Sequence, residues 1–408
     1  MPFRKLSRCH KDVEVLIYHI AEIINVKDIE YTTLIGGDDI DTFYGGIYNV
    51  RITGMQHGQK ITYYVIIKHH NDSQSRSRFR ESYRREVSFY CKIVPRYLEI
   101  QRNFKIIEGL RIKFPNCIFA SDEYDKECIV VMGLTEDGFK LHERLQKMDL
   151  EHAILVIKYL AKLHAFSFVL EKMKPEEFEE IKQLYRKDIQ YADPSRQSKP
   201  MKCFYDASVN AVSDPIAKEK LKELGPNILS ILHKCTKPPR YSVICHGDCW
   251  NNNIFYKYKH NKPVDVILVD FQLMRFASPA TDLAYFLYMS TDREFLSKHY
   301  ETVLNFYYGT LSAVLRECNL DVEEIYPKKV FKSQLREYSV LGLVEALISM
   351  MIITAPFEDA LKMTEIKYQF CNEGIRETEG NVLFKERVND VVDDFFSRNY
   401  SLDAVLSK

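Results

Sequence analysis

The 408-residue chain is longer than a single hydrophobic core usually serves, so its length favours two lobes or domains. Its 46% hydrophobic and 28% charged residues are typical of a globular protein and exclude a wholly disordered chain. Because Lys+Arg and Asp+Glu both number 57, no overall charge favours nucleic acid or an anionic membrane as a partner.

The cysteines and the apolar stretches indicate where the protein works. The 10 cysteines include no CxxC pair and lack the dense spacing of a secreted disulfide scaffold, which indicates reduced thiols. The N-terminal sequence MPFRKLSRCHKDVEV has no apolar region typical of a signal peptide. The longest apolar stretch, 340–357, contains Glu345 and is short for a bilayer span, so it predicts a buried helix. We therefore expect a cytoplasmic protein.

The first third of the chain predicts an antiparallel sheet with helices. An apolar stripe at helical spacing predicts a helix over 13–25. Runs rich in β-branched and aromatic residues predict strands near 30–36, 45–53, 60–68, 116–121 and 128–133. Gly58 suits the turn of a hairpin between the second and third strands. A polar stretch over 71–85 leads into a helix that Pro95 is expected to break or bend.

The pattern changes after residue 140, where helical periodicity dominates. Helices are predicted over 150–170, 176–185, 216–235, 282–289, 298–318 and 334–354. The polar, proline-containing segment 187–202 predicts a loop. The sequence thus predicts an α+β protein with an N-terminal lobe over 1–133 and a mainly helical C-terminal lobe over 134–408.

Three β-rich runs interrupt the helical half, at 241–247, 252–258 and 264–271. They carry the sequence HGDCWNNN over 246–253, and the last run ends in Asp-Phe-Gln over 270–272. This order matches the HxDxxxxN…DF pattern of kinases, with HGD in place of HRD.

Phosphoryl transfer explains why these residue types occur at this spacing. One carboxylate must accept the proton of the attacking hydroxyl, while a second carboxylate and an amide oxygen hold Mg²⁺. We therefore predict Asp248 as the catalytic base and Asn253 and Asp270 as metal ligands. Asn253 is chosen over Asn251 and Asn252 only because it lies five residues after Asp248.

Two other interpretations of these runs stay open. The polar residues could simply cap the turns of a hairpin, as Asp and Asn often do. Cys245, His246, Asp248 and Cys249 could also suggest a zinc site, although ligands at such close spacing fit a tetrahedral site poorly.

The N-terminal sheet supplies candidates for the remaining parts of a kinase. Lys68 ends a predicted strand, where a lysine would reach the phosphates of ATP, and Glu86 on the following helix is expected to pair with it. Glu81, one turn earlier, competes with Glu86 for this role. The glycine-flanked segment 36–46 is either a phosphate-covering loop or an ordinary strand connection.

Several motifs resemble one known family. HGDCWNNNIFY (246–256), VILVDFQ (266–272) and SPATDLAYFL (278–287) are similar to those of the ecdysteroid kinase-like (CHK kinase-like) family, which belongs to the choline kinase and aminoglycoside phosphotransferase group. The segments LAKLHAFS (160–167) and FPNCIFAS (114–121) also resemble that family.

The resemblance implies a protein-kinase-like two-lobed fold and the use of ATP and Mg²⁺ to phosphorylate a hydroxyl of a small molecule. An ecdysteroid or a similar apolar alcohol is the expected acceptor. A kinase of the choline or ethanolamine type, or an inactive pseudokinase that only binds ligands, is the alternative.

The resemblance also implies roles for residues outside the β-rich runs. The adenine is expected at the crossover between the lobes, against Gly133 and Leu134. Family members commonly have Glu-Asp-Leu where this chain has Met132-Gly133-Leu134, so the expected adenine contacts are those of the backbone. Two further expectations come from the residues themselves. Asp282 precedes a predicted helix, so it is expected to cap that helix and support the catalytic loop, and His164 is on an apolar helix, so it is expected to be a hydrogen-bonded core histidine.

Overall fold

The computed structural model describes residues 11–35, 46–143, 145–191, 194–356, 358–360, 363, 379–398, 400 and 402. These residues form two compact units, each built from three separate segments of the chain. The first unit takes Met1–Arg96, Lys113–His142 and Ile254–Gln272, and the second takes Tyr97–Ile112, Glu143–Asn253 and Leu273–Lys408. The prediction placed one boundary after residue 133, whereas each observed unit is made of several separate segments. The reason is that the strands between residues 254 and 268 pair with a strand that begins at Phe139, so they belong to the first unit.

The first unit is built on a five-stranded antiparallel sheet in the order β1-β2-β3-β5-β4. Its strands are β1 (Lys27–Ile35), β2 (Ile47–Gln56), β3 (Gln59–Lys68), β4 (Cys117–Ser121) and β5 (Cys128–Met132). Helix α1 (Lys11–Ile23) places Val13, Ile17 and Ile20 in the core of this sheet. The predicted helix and the five predicted strands are therefore confirmed within a few residues.

The hairpin between β2 and β3 fixes the register of the sheet. Its two turn residues, His57 and Gly58, have φ of 49° and 78°. Positive φ at both positions suits the two-residue turns whose twist matches that of paired strands. The ladder then runs from Gln56 opposite Gln59 to Ile47 opposite Lys68, so Lys68 occupies the far end of β3.

The helical segment after β3 begins earlier than predicted. Helix α2 (Ser73–Ser88) is capped by Asp72, whose side chain accepts a hydrogen bond from the Ser75 backbone N–H at 2.7 Å. A π-helical turn over Phe89–Ile93 leads into α3 (Val94–Asn103). Pro95 does not end the helix, because it lies in the first turn of α3 and follows a π turn in which the hydrogen-bond pattern already changes.

A second, smaller sheet also belongs to the first unit. It joins β6 (Phe139–Leu141), β8 (Ile254–Lys259) and β9 (Lys262–Leu268) in the order β6-β8-β9. Its buried cluster contains Leu134, Phe139, Phe255 and Ile267. Two of the three β-rich runs in the helical half of the sequence therefore fold with the first unit.

The second unit is mainly helical. Its described helices are α4 (Leu150–Met173), α5 (Pro175–Arg186), α6 (Pro194–Ala211), α7 (Pro215–Leu224), α8 (Ile228–Thr236), α9 (Ala280–Ser290), α10 (Arg293–Glu317), α11 (Val322–Ile325), α12 (Lys328–Thr354) and α13 (Glu379–Ser397). The third β-rich run contributes β7 (Val243–Cys245), which pairs with β10 (Arg275–Ala277) in an antiparallel two-stranded sheet.

Two predictions about these helices are wrong. The predicted loop 187–202 is helical from Pro194 onward, because a proline at the first helical position gives up an N–H that would have no partner there. The single helix predicted over 216–235 is divided by a 3-10 turn at Gly225–Asn227, where Gly-Pro interrupts the helical hydrogen bonds. The predicted fold class is confirmed, with an antiparallel sheet in one unit and helices dominating the other.

Helices α4 and α12 are long and apolar enough to cross a membrane by length and composition alone. Their apolar windows are 78% and 89% buried within the structure, as expected of core helices. This burial agrees with the helix predicted over the longest apolar stretch. The eight cysteines among the described residues are all free.

Candidate active site

The first unit gathers three predicted site residues around one ammonium group. Lys68, at the end of β3, lies 2.7 Å from Glu86 Oε2 on α2 and 2.8 Å from Asp270 Oδ1, two residues after β9. Glu86 is thus the partner of Lys68, whereas Glu81 contacts Arg84 at 3.0 Å. The fold brings a lysine and an aspartate that are 202 residues apart in sequence into direct contact.

The charges in this cluster support one another. Burial alone would lower the pKa of Lys68, but the carboxylates of Asp270 and Glu86 raise it above its ordinary value. Burial raises the pKa of Glu86, and the neighbouring ammonium opposes that rise. Lys68 is therefore cationic at any physiological pH, as binding to phosphate requires.

The segment after β9 is shaped around Asp270. Its φ is 65°, in the left-handed region that non-glycine residues rarely occupy and that often marks functional positions. Phe271 stacks on Phe89, with ring centroids 3.8 Å apart, and its backbone N–H points to Glu86 Oε1 at 3.4 Å. This stacking and the Glu86 contact secure the strained turn.

Gln272 contacts both Lys68 and Asp270, although no role was predicted for it. Its Oε1 accepts a hydrogen bond from Lys68 at 3.1 Å, and its Nε2 donates to Asp270 Oδ2 at 3.0 Å. The side chain therefore bridges the lysine and the carboxylate. Its position directly after Asp-Phe, where protein kinases have glycine, was the signal available in the sequence.

The predicted adenine site is at the crossover residues Gly133 and Leu134. The backbone N–H of Gly133 donates to the Tyr64 carbonyl at 2.8 Å, and the Leu134 carbonyl accepts from the Phe139 N–H at 3.1 Å. Both residues thus use a backbone group within the first unit. The Gly133 carbonyl and the Leu134 N–H are then the candidates for contact with an adenine.

The glycine-flanked loop lies outside the described residues except for its last position. Gly46 has φ of 82°, and a Cβ there would lie 2.6 Å from the His69 carbonyl oxygen. Only glycine fits this start of β2.

In the second unit, the loop after β7 holds the predicted base. Asp248 Oδ1 accepts a hydrogen bond from the Tyr285 hydroxyl at 2.6 Å, and Oδ2 accepts one from Asn253 Nδ2 at 3.0 Å. Asn253 Nδ2 also donates to the Asp248 carbonyl at 2.9 Å. The amide nitrogen of Asn253 is a donor and makes both bonds to Asp248, so its amide oxygen is the candidate atom for the predicted Mg²⁺ site.

A buried carboxylate fixes the backbone of this loop. Asp282 Oδ2 accepts hydrogen bonds from the His246 N–H at 2.6 Å and from His164 Nε2 at 3.1 Å, while Oδ1 accepts from the Gly247 N–H at 3.0 Å. Asp282 supports the loop as expected, but these contacts lie on the loop rather than on the α9 backbone. His164 also contacts the Tyr307 hydroxyl at 2.8 Å, so it is the hydrogen-bonded core histidine that was predicted.

The electrostatics agree with an ionised Asp282. Burial would raise its pKa, but the hydrogen bond and charge of His164, together with the nearby charges of Arg275 and His246, lower it to about 2. An anionic carboxylate is the acceptor that two converging backbone N–H groups need.

Steric constraints explain why the HGD motif has a glycine at its second position. Gly247 has φ of 85°, and a Cβ at this position would lie 2.1 Å from the Leu273 carbonyl oxygen. Any side chain would push the loop away from the segment that leads into β10. The arginine of HRD therefore cannot be accommodated in this backbone.

His164, Cys245 and Asp282 also place possible metal-ligand atoms within 4.8 Å of one another. Their hydrogen bonds argue against that use, since the Cys245 thiol points to the carbonyls of Ala277 and Ser278 at 3.6 and 3.5 Å. Burial raises the pKa of both Cys245 and Cys249, which disfavours the thiolate that zinc binds. This part of the loop is better described as a hydrogen-bonded support.

Comparison with protein families assigns residues 39–320 to the ecdysteroid kinase-like family, which is more than half of the 408-residue chain. The chain belongs to the ecdysteroid kinase-like family. It is thus a member of a group of small-molecule kinase-like proteins, as its motifs predicted.

Solved structures with low sequence identity were also found. A spectinomycin phosphotransferase, APH(9)-Ia, in complex with ADP and spectinomycin, is 14% identical with a TM-score of 0.43, and the match covers 98% of this chain and 100% of that chain. An ethanolamine kinase from Plasmodium vivax is 13% identical with a TM-score of 0.43, covering 94% and 87%. The choline kinase LicA from Streptococcus pneumoniae is 13% identical with a TM-score of 0.41, covering 94% and 99%. No curated protein sequence matches the chain.

Proposed function

We propose that this member of the ecdysteroid kinase-like family is an active kinase that transfers the γ-phosphoryl group of ATP to a hydroxyl of a small apolar alcohol such as an ecdysteroid. In this proposal Asp248 is the base, Asn253 and Asp270 hold Mg²⁺, and Lys68, Glu86, Gly133 and Leu134 bind the nucleotide. Asp282 and His164 support the loop.

The observation that carries the proposal is the position of the Lys68 ammonium between Glu86 and Asp270, at 2.7 and 2.8 Å. Kinases require a strand lysine paired with a helix glutamate, together with an aspartate that binds Mg²⁺. A lysine that only served solubility would not be held by two carboxylates and an amide. The side chains of Lys68 and Glu86 are 15% and 5% exposed, so the pair is protected from solvent.

The proposed reaction assigns one task to each residue. The acceptor hydroxyl donates its proton to the Asp248 carboxylate while its oxygen forms a bond to the γ-phosphorus. The bond from that phosphorus to the bridging oxygen breaks, and its electron pair leaves on ADP. Lys68 binds phosphate oxygens. Asn253 and Asp270 would hold Mg²⁺, which would supply positive charge to neutralise the phosphates.

The choice of acceptor rests on family membership. The family is described as ecdysteroid kinase-like, which supports a flat, apolar alcohol as the substrate class. Choline and ethanolamine are the competing acceptors, and a pseudokinase that binds nucleotide without turnover is the competing function.

Thermal unfolding with and without ATP and Mg²⁺, followed by mass spectrometry of the products, tests the proposal. We expect stabilisation by ATP with Mg²⁺, and a mass increase of one phosphate on an ecdysteroid or another apolar alcohol in a mixed panel that also contains choline and ethanolamine. Phosphorylation of choline or ethanolamine alone would overturn the acceptor. Binding without any product would favour the pseudokinase, and the absence of binding would overturn the kinase.

Two aspartate variants separate the roles at the site. Asp248→Asn is expected to lower transfer by at least about 1000-fold while ATP binding stays within about twofold, because only the proton acceptor is lost. Asp270→Asn is expected to weaken the Mg²⁺-dependent part of ATP binding itself.

Asp265→Asn is a matched control for Asp270→Asn. Asp265 is on β9 and pairs with Lys113 at 2.9 Å, yet it is not among the proposed site residues. Full transfer activity in Asp248→Asn, or equal loss in the control, would contradict the assignments.

A further inference from the structure

The hydroxyl of Tyr285 lies 2.6 Å from Asp248 Oδ1 and donates a hydrogen bond to it. Tyr285 is 7% exposed, and it lies on α9, 37 residues after Asp248 in the sequence. A buried phenol that points its hydrogen at a carboxylate makes a charge-assisted hydrogen bond, which is shorter and stronger than one between neutral groups.

Tyr285 contacts the loop from the same helix face as Asp282. The two residues are three positions apart in α9, so their side chains leave neighbouring turns on one side of the helix. Asp282 binds the backbone of the loop through the N–H groups of His246 and Gly247. Tyr285 binds the side chain of the next residue, Asp248, so one helix face controls both the backbone and the carboxylate.

The position of α9 is itself fixed. All of its residues from Ala280 to Ser290 are buried. Gly342 of α12 approaches it so closely that a Cβ on that glycine would lie 2.5 Å from the Ala284 carbonyl oxygen. A helix packed at this distance offers Tyr285 little freedom to move away from the loop.

We propose that Tyr285 is a positioning residue for the phosphoryl transfer, acting through Asp248. Asn253 holds Oδ2 and Tyr285 holds Oδ1, so the plane of the carboxylate is fixed by a hydrogen bond at each oxygen. Each ionised oxygen keeps a further lone pair, and the acceptor hydroxyl donates to one of these. The phenol orients the Asp248 carboxylate before the acceptor arrives. This inference rests on the proposed kinase function.

The chain provides a matched control on the same helix. Tyr288 is also buried in α9, at 2% exposure, and its hydroxyl contacts Asp394 Oδ2 at 3.3 Å rather than the loop. Tyr288→Phe therefore removes the same atom from the same helix without touching Asp248. A purely structural role for Tyr285 would make the two variants alike.

The test is a double-mutant cycle between Tyr285→Phe and Asp248→Asn. The measured quantity is the rate of ADP release in the presence of ATP and Mg²⁺, and the acceptor is water or the alcohol phosphorylated in the panel described above. Tyr285→Phe should lower kcat at least about tenfold, while KM for ATP stays within about twofold. In the Asp248→Asn background the same change should lower the residual rate less than about twofold, because the carboxylate on which the phenol acts is no longer present. Tyr288→Phe should leave kcat within about twofold.

The same four proteins are also compared by their free energies of unfolding in urea, a measurement that does not require enzymatic activity. Coupling between Tyr285 and Asp248 in that measurement shows that the variants fold and that the hydrogen bond exists. Additive effects on kcat, or an equal loss in Tyr288→Phe, would overturn the positioning role while leaving the kinase intact. If the unsubstituted protein releases no ADP under any condition, the proposed function is wrong, and the positioning role of Tyr285 is then wrong as well.

Discussion

The two units hold their site residues in different ways. In the first unit, Lys68, Glu86 and Asp270 form a cluster of charges, and the Asp270 side chain is 24% exposed. In the second unit, Asp282 and His164 are fully buried, with 0% exposure of both side chains, and every contact that we describe there is a hydrogen bond to the loop or its supports. The first cluster is partly open to solvent, whereas the second is closed.

This difference separates binding from support. An ammonium held by two carboxylates carries charges that phosphate and Mg²⁺ can redistribute, so its stability contribution is expected to be small. A buried carboxylate that accepts three hydrogen bonds cannot lose its charge without leaving donors unsatisfied. We therefore expect substitutions of Asp282 and its supports to cost stability, and substitutions in the Lys68 cluster to cost ligand binding.

The largest expected effect is that of Asp282→Asn. The amide nitrogen would face a backbone N–H of the loop, and the charge beside His164 would be lost, so the free energy of unfolding should fall by about 3–5 kcal/mol at pH 7. Because the pKa of Asp282 is about 2 in the folded protein, below its ordinary value of about 4, this stabilisation is complete above about pH 4 and is lost as the pH falls towards 2.

Urea unfolding of both proteins from pH 8 to pH 3 measures this effect. The difference between them should be constant down to about pH 5 and should shrink below pH 4. If Asp282→Asn lowers the free energy of unfolding by less than about 1 kcal/mol at pH 7, the proposed difference between the two units is wrong.

Gly342→Ala should have the next largest effect. The added methyl group would lie 2.5 Å from the Ala284 carbonyl oxygen, so α9 and α12 must separate at a cost of about 1–3 kcal/mol. Gly309→Ala in α10 is the control, because nothing lies within 4 Å of its Cβ position and alanine favours the helix by up to about 1 kcal/mol. Chemical denaturation should therefore give shifts of opposite sign. Equal shifts would show that α9 is not closely packed.

A smaller effect is expected from the ionisation of His70 in the first unit. Burial, and then the charge of Lys68, lower its pKa from 6.5 to about 4, and its ring stacks on Phe79 at 4.9 Å. Between pH 6.5 and 4 this histidine is neutral in the folded protein but protonated in the unfolded chain. The free energy of unfolding therefore decreases as the pH is lowered from 6.5 to 4. The nearby Asp72 opposes the shift, and His69 and Arg76 support it.

Comparison with His70→Gln isolates this contribution. Since His70 is only partly buried, we expect about 1 kcal/mol of extra pH dependence in the unsubstituted protein between pH 6.5 and 4. Parallel stability curves for the two proteins would show that His70 does not titrate in this way.

The smallest change in stability is expected for Asp270→Asn. This substitution removes the ion pair between Asp270 and Lys68, but it also removes the repulsion between Asp270 and Glu86, which stays paired with the ammonium. Asparagine tolerates the positive φ at this position. The free energy of unfolding of this variant should stay within about 0.5 kcal/mol of that of the unsubstituted protein, although its Mg²⁺-dependent ATP binding is expected to be weaker. Asp270→Ala should cost about 1 kcal/mol more, because alanine does not tolerate that backbone. A large loss in Asp270→Asn would make the first cluster structural as well.

The sequence allowed the strands and most helices of this protein to be predicted, because their periodicity is local and each repeats a hydrophobic pattern over several residues. It failed at 194–202, where polar composition indicated a loop, and at Gly225–Asn227, where the break is only three residues long. It also could not show that the run 241–247 folds in one unit while 252–258 and 264–271 pair in the other. Strand pairing depends on partners distant in sequence, which local patterns do not contain.

The motif residues followed from sequence order alone. Asp248, Asn253 and Asp270 were found by spacing, and Lys68 by its place at a strand end. The partners of these residues were decided by tertiary structure: Tyr285 at Oδ1 of Asp248, Gln272 between Lys68 and Asp270, and Glu86 rather than Glu81. A residue type and its spacing fix what chemistry a chain can offer, because that chemistry belongs to single side chains. Which groups hold those side chains depends on packing between elements far apart in the sequence.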